Sequence, residues 1–245
     1  AHLPTPTGVQ TLIADPAHAG AVFQAASQFN CLEMVGPGVS PRQGIAIYAN
    51  DPTQGPKCAI AAPAATVFRN YLCGEGSAGQ GEKQIDCLAD VGAVVGNETH
   101  HYWSMQNGYA LPCTSTAMGK LGARLRDEAG LAARAEESLR VGVHWETQVR
   151  PPKTHNVAQV FASAVPVAYE KGTRSEDWES FARLVLRAAY EATLAVAALK
   201  AASGGGARVS VYLTALGGGA FGNRSGWIVD AVSRALRAFA SAPLD

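Results

Sequence analysis

Two periods of apolar residues run through this chain. Runs with β-branched or alternating apolar residues predict strands at residues 9–13, 19–26, 141–149 and 156–169, and from Val209 onward. Residues 141–149 alternate strictly (Val141, Val143, Trp145, Thr147, Val149), which suits a strand with one face buried. Helical spacing appears over 57–71, where Ala61, Ala65, Phe68 and Leu72 make the buried stripe. It recurs from Ser115 or Thr116 to Leu139, with Gly130 as a break. A long helix follows over 178–201, with Phe181, Leu184, Val185, Ala188, Ala192, Val196 and Leu199 inward. In the last helix Trp227, Ile228, Val232, Leu236 and Phe239 recur, with Ala231 and Ala235 on the same side. Strands alternating with helices predict a single α/β domain of three layers.

The stretch 209–222 joins a buried strand to that last helix through Gly217, Gly218, Gly219, Ala220, Phe221 and Gly222, followed by Asn223. A glycine turn of this kind lets backbone N–H groups and a helix N-terminus converge on one anion. A flexible surface turn is the plainer alternative. A second loop, residues 37–55, also leads into a helix. Asp51 there is either a cap or a carboxylate beside an anion site. Asn30 and Glu33 lie just beyond the strand of 19–26, where ligands gather in parallel sheets.

Residues 73–114 are the least regular part. Glycines crowd 74–81, a short helix over 84–90 would put Asp86 and Asp90 on one side, and an aromatic segment turns at Asn107-Gly108. A segment of this type is either a substrate-binding element or an accessory hairpin on the core.

Composition narrows the function. The chain has 245 residues, 47% hydrophobic and 16% charged, and folds as one large domain. Its formal net charge is zero, so no basic excess favours a nucleic-acid partner. No apolar run approaches a membrane span, and Ala1-His2-Leu3-Pro4 is no signal region. A cytoplasmic monomer is expected. Five cysteines, at 31, 58, 73, 87 and 113, include no C-x-x-C pair, so reduced thiols are expected rather than disulfides or a metal site. The adjacent His100 and His101 do not have ligand spacing. Neither the P-loop pattern nor G-x-G-x-x-G after an early strand is present.

The succession of motifs resembles the macrodomain, the α/β/α module with a mixed sheet that binds ADP-ribose. Thr11-Leu12-Ile13-Ala14-Asp15 resembles its early strand, ending in the aspartate that holds the adenine amino group. Residues 22–30 resemble the next strand with its ribose-side asparagine, Asn30. Ser163-Ala164-Val165-Pro166 is similar to its His-Thr-Val-Gly-Pro strand, and 213–223 to its closing strand and second phosphate loop, with Phe221 by the distal ribose. The resemblance spans 1–245 apart from an insertion at about 73–140.

One departure matters. The usual glycine-rich first loop is absent. Cys31-Leu32-Glu33 leads instead through a longer loop to Thr53-Gln54-Gly55-Pro56. This is similar to the divergent branch near poly(ADP-ribose) glycohydrolases and to effector-type hydrolases that free ADP-ribose from arginine, including arginine on ubiquitin. The double-glutamate signature is missing, which argues against polymer cleavage. The resemblance implies a mono-ADP-ribosyl hydrolase that needs no cofactor and acts on an ADP-ribosylated protein. Glu33 and Asp51 would lie at the scissile bond with Asp86 completing an acidic pocket, while Gln54 and Gln84 position ribose or guanidinium. Asp15, Asn30, Gly55 and 217–223 would bind the rest. A non-catalytic ADP-ribose reader, and a nucleotide or nucleoside-diphosphate-sugar hydrolase on another α/β fold, are the alternatives.

Overall fold

A computed structural model describes residues 8–74 and 78–245. The readings at residues 1–4, and part of the glycine-dense stretch 74–81, lie outside the described residues. The first half contains α1 (Val9–Ala14), β1 (Val22–Ala26), α2 (Gln54–Ala61), α3 (Pro63–Val67), α4 (Ala89–Val95), α5 (Asn97–His100) and the hairpin β2 (Trp103–Gln106) and β3 (Tyr109–Pro112). The second half contains α6 (Ala117–Asp127), α7 (Leu131–Glu137), β4 (Gly142–Gln148), β5 (Asn156–Ala162), α8 (Ser175–Ser203), β6 (Val211–Tyr212) and α9 (Ser225–Ala238).

The fold is a mixed α/β one. Its main sheet has the order β4-β5-β1-β6, with β5, β1 and β6 parallel and β4 antiparallel to β5. Side-chain alternation sends neighbouring residues of a strand to opposite faces. Val22, Ala158 and Val160 pack on Val196 and Ala197 of α8, and Gln24 donates to Thr193 Oγ1 of α8 at 2.8 Å. On the other face Gln159 donates to Cys58 O of α2, and Phe23, Ala25 and Phe161 share a cluster with Cys58, Ala61 and Ala65. Helices therefore cover both faces. Among the described residues no helix is long and apolar enough to cross a membrane.

Several expectations need correction. Residues 9–14 form a helix, not a strand. Val9, Leu12 and Ile13 have helical as well as strand-like spacing, and a run this short cannot decide between them. The helix expected over 57–71 starts at Gln54 and breaks at Ala62-Pro63, where proline cannot donate. It then widens into a π-helical turn, Phe68–Leu72. The buried face keeps helical spacing through it, from Ala65 and Thr66 to Arg69 and Asn70. Phe68 and Leu72, expected inside, are about half exposed, while Arg69 and Asn70 are buried. Leu199 and Leu236 are likewise exposed rather than inward. Asp86 and Asp90 do not share a helix: Asp86 caps the turn before α4, and Asp90, on α4, pairs with Arg140. The strand expected over 156–169 ends at Ala162, and the one from Val209 is only two residues long.

Other readings hold. Gly130, at φ +74°, separates α6 from α7. Asn107-Gly108 forms the two-residue hairpin turn, with φ of +46° and +82°.

Candidate functional site

Strands β1, β5 and β6 run parallel, so their carboxyl ends lie together, and a cavity of about 370 Å³ opens there. That volume lies in the range of small-molecule sites. Its wall includes Ala26, Ser27 and Gln28 after β1, Ala162 and Ala164 at the end of β5, and residues 214–217 and 219–221 after β6.

The cavity exists because β6 leaves the sheet early. Its pairing with β1 stops at Phe23–Tyr212. Beyond that point side chains keep the backbone groups satisfied, as burial requires. Thr214 N donates to Gln24 Oε1 at 3.2 Å, and Thr214 O accepts from Tyr190 Oη at 2.6 Å. On β1, Ala26 N donates to Gln54 Oε1 at 2.8 Å, and Gln54 Nε2 donates to Gln24 O at 2.7 Å. The amide of Gln54 thus takes the place of a strand rung.

One side of the cavity is the glycine loop. Gly218 N, Gly222 N and Asn223 N donate to carbonyls within the loop. Among the described residues, the N–H groups of Gly217, Gly219, Ala220 and Phe221 donate to no protein acceptor, and all four residues line the cavity. Gly217 has φ +66°, and a Cβ there would come within 2.5 Å of Ala164 Cβ, so the turn requires glycine. Asn223 fastens the loop, donating to Val165 O at 2.9 Å. Gly218, Gly222 and Asn223 shape the loop without lining the cavity.

Another part of the lining is acidic. Glu33, Asp51, Thr53, Gln54, Gly55 and Pro56 line it, the last three at the first turn of α2. Glu33 is 2% exposed. Its Oε1 pairs with Arg69 Nη2 at 2.9 Å, and its Oε2 is shut off from solvent near the Tyr48 hydroxyl. Burial pushes its carboxyl up to about 7, and the positive charge of Arg69 opposes that rise. Tyr48 Oη accepts from Glu33 N at 2.9 Å. Burial, then the Glu33 charge, pushes both the Tyr48 phenol and the Cys58 thiol well up. Asp51 Oδ1 accepts from Thr53 N and Thr53 Oγ1, at 2.8 and 2.5 Å. Gly55 is packed so closely that a Cβ would overlap Ala26 O and come within 2.9 Å of Glu33 Cγ.

An aromatic group stands beside both. Tyr109, Tyr169 and Phe221 have ring centroids 5.4–5.5 Å apart, and Tyr109 Oη donates to Met34 O at 2.6 Å.

The chain matches no family model, no curated protein and no solved structure.

The cavity brings together Glu33, Asp51, Gln54, Gly55, Gly217, Gly219, Ala220 and Phe221. Four other predicted site residues lie elsewhere. Asp15 caps a short turn before β1, accepting from Ala17 N at 2.9 Å, whereas the cavity lies past the other end of β1. Asn30 and Gln84 are consumed in an amide relay. Asn30 Nδ2 donates to Gln84 Oε1, Gln84 Nε2 to Asn107 Oδ1, and Asn107 Nδ2 to Pro37 O. This relay ties the loop after β1 to the β2–β3 turn. Asp86 lies on a separate depression with Leu88, Asn97 and Trp103. Gln54, read as a ligand-positioning residue, has both ends of its amide spent on β1.

The sequence reading missed Arg69, Tyr48, Tyr109 and Tyr169. Tyr109 was visible only as part of an aromatic segment. Arg69 follows Ala65 by one helical turn, but a charged residue type was not read as part of the buried stripe. Among the described residues no cluster of three or more His, Cys, Asp or Glu side chains is placed to hold a metal.

Proposed function

We propose that the cavity binds the ADP-ribosyl group and that the protein hydrolyses it from a modified protein, with the arginine linkage preferred. ADP-ribosylated ubiquitin is a candidate substrate. A macrodomain-type fold is part of the same proposal, to which helices on both faces of a mixed sheet are well suited. The observation that carries the reading is the presence of two chemistries in the lining of one cavity. Free N–H groups at Gly217, Gly219, Ala220 and Phe221 suit a diphosphate. The carboxylates of Glu33 and Asp51 suit the other end, where a ribosyl carbon becomes oxocarbenium-like and a guanidine departs.

In the proposed reaction, water attacks the ribosyl carbon as the bond to the guanidine nitrogen breaks. Glu33 takes the proton from water, the guanidine leaves neutral with the electron pair of the broken bond, and it then takes that proton, returning Glu33 to its ionised form. A carboxyl that titrates near 7 suits proton transfer at neutral pH. Asp51, with Oδ1 turned to Thr53, orients the ribose or the guanidinium.

One observation favours the second reading, a non-catalytic reader. Glu33 and Asp51 each already commit one oxygen to the fold. A time course on arginine-ADP-ribosylated protein, with calorimetry for ADP-ribose, ADP and AMP, separates the readings. The wild type should release ADP-ribose and bind it in preference to ADP and AMP. Glu33→Gln and Asp51→Asn should each slow release about 100-fold or more while still binding ADP-ribose. Binding without release in the wild type would establish the reader. Equal affinity for all three ligands would overturn both.

A further inference from the structure

We propose that Arg69 is a positioning residue: it holds Glu33 Oε1 and so fixes the orientation of the carboxyl at the cavity wall. The inference rests on the reading of Glu33 as the reacting carboxylate, but it has a readout that does not need turnover.

Arg69 is 3% exposed and does not line the cavity. It reaches Glu33 from beneath, and three contacts fix its plane. Nε donates to Cys31 O at 2.6 Å, Nη2 meets Glu33 Oε1 at 2.9 Å, and Cζ lies 3.5 Å above the Phe161 ring centroid. A guanidinium held at its Nε and over one face cannot swing freely, so Glu33 Oε1 has a fixed partner. The carboxylate plane is then set, with Oε2 near the Tyr48 hydroxyl.

The backbone supports the same conclusion. Arg69 lies on the π-helical turn Phe68–Leu72, a backbone form that is rare and gathers at functional sites. Ala65, one helical turn earlier, is also buried, so the side chain of Arg69 continues that buried face. The turn is also anchored at its neighbours. Gln80 Nε2 donates to Arg69 O and Asn30 O, and Asn70 Nδ2 donates to Pro41 O. The loop carrying Glu33 and the turn carrying Arg69 are thereby joined through Asn30 and Gln80.

Charge follows from geometry. The groups near the pair are Tyr48 from the loop, Cys58 from α2, Cys31 from the loop after β1 and His144 from β4. Burial and the charge of Arg69 lower His144 to about 4, so it is neutral at pH 7 and does not replace Arg69 as a cation. Arg69 is therefore the nearby cation that favours ionised Glu33. Asp51 shares the cavity wall, and Tyr109 and Tyr169 stand beside it. The sign is then fixed. Glu33 is ionised above about pH 7 and protonated below it, so activity through Glu33 falls as pH drops through 7. Without Arg69 that acid limb moves to higher pH.

The test compares wild type, Arg69→Lys and Arg69→Met by pH–rate profile on arginine-ADP-ribosylated protein. It adds ADP-ribose calorimetry and carbon NMR titration of the Glu33 carboxyl. Arg69→Met should raise the acid limb and the Glu33 titration by at least one pH unit. Its kcat at pH 7 should fall about tenfold, KM should change little, and much of the rate should return at pH 9. Arg69→Lys keeps a charge without the Nε anchor and should fall between. If the rate drops equally at every pH and the Glu33 titration stays in place, Arg69 is only structural and the proposal is overturned. Should Arg69→Met fail to fold, the Arg69→Lys titration decides alone: an unshifted midpoint refutes, a raised one supports. If the wild type releases no ADP-ribose, the hydrolase reading fails, and the NMR titration still decides the role of Arg69.

Discussion

Two parts of the cavity lining use their polar groups in opposite ways. On the glycine loop the backbone N–H groups of four lining residues are unspent. On the acidic part the polar side chains are largely spent on the fold. Gln54 substitutes for a strand rung, Asp51 Oδ1 holds its own turn, and Glu33 Oε1 is paired with Arg69. Binding capacity on the first part comes from backbone shape, which glycine permits. On the second it comes down to what the fold leaves over. Residue type alone would have ranked these parts the other way, with amides and acids as the binders and glycines as a plain turn.

Three substitutions can break or sharpen that contrast. The largest effect is expected from Gly55→Ala. Its Cβ would overlap Ala26 O and crowd Glu33, so we expect a loss of about 3 kcal/mol or more in urea unfolding and loss of ADP-ribose binding. An unchanged midpoint would mean that the two loops are not packed this closely. Gln54→Ala should cost about 1–3 kcal/mol, because it leaves Ala26 N and Gln24 O without their partner. ADP-ribose affinity in the folded variant should change less than about threefold; a drop of 1.4 kcal/mol, a factor of ten, would make Gln54 a ligand-binding residue after all. Asp15→Ala should cost about 1 kcal/mol through its lost cap and leave calorimetric affinity unchanged. A clear loss of affinity would return Asp15 to the site.

The parts of the fold that were legible in the sequence are those with a strong period or a steric necessity. The long helix α8, the hairpin at Asn107-Gly108 and the split at Gly130 all have such a signature. Strand β4 was placed too, but its register shifts between His144 and Thr147, which breaks the expected alternation and leaves Trp145 45% exposed. The helix at 9–14 did not, because six residues suit either period. In the site, Glu33 and the glycine loop were legible because they follow β1 and β6, and Asp51 because it lies in the loop leading into α2. Asn30, Gln84 and Gln54 have residue types that bind ligands and backbone equally well, and only the tertiary structure decides which they do. Arg69 was passed over for its residue type. It lies four residues after Ala65 on the buried face, but a charged side chain is usually solvated.

The early departure of β6 has a consequence for recognition. Where a strand ends, its neighbour normally offers an open ladder to which an extended peptide can add. Here the Gln54 amide closes that ladder at Gln24 O and Ala26 N, and β5 occupies the other edge of β1. A peptide cannot extend the sheet at the cavity floor. A modified protein would have to present its appended group end-on, inserting that group while its own backbone stays outside.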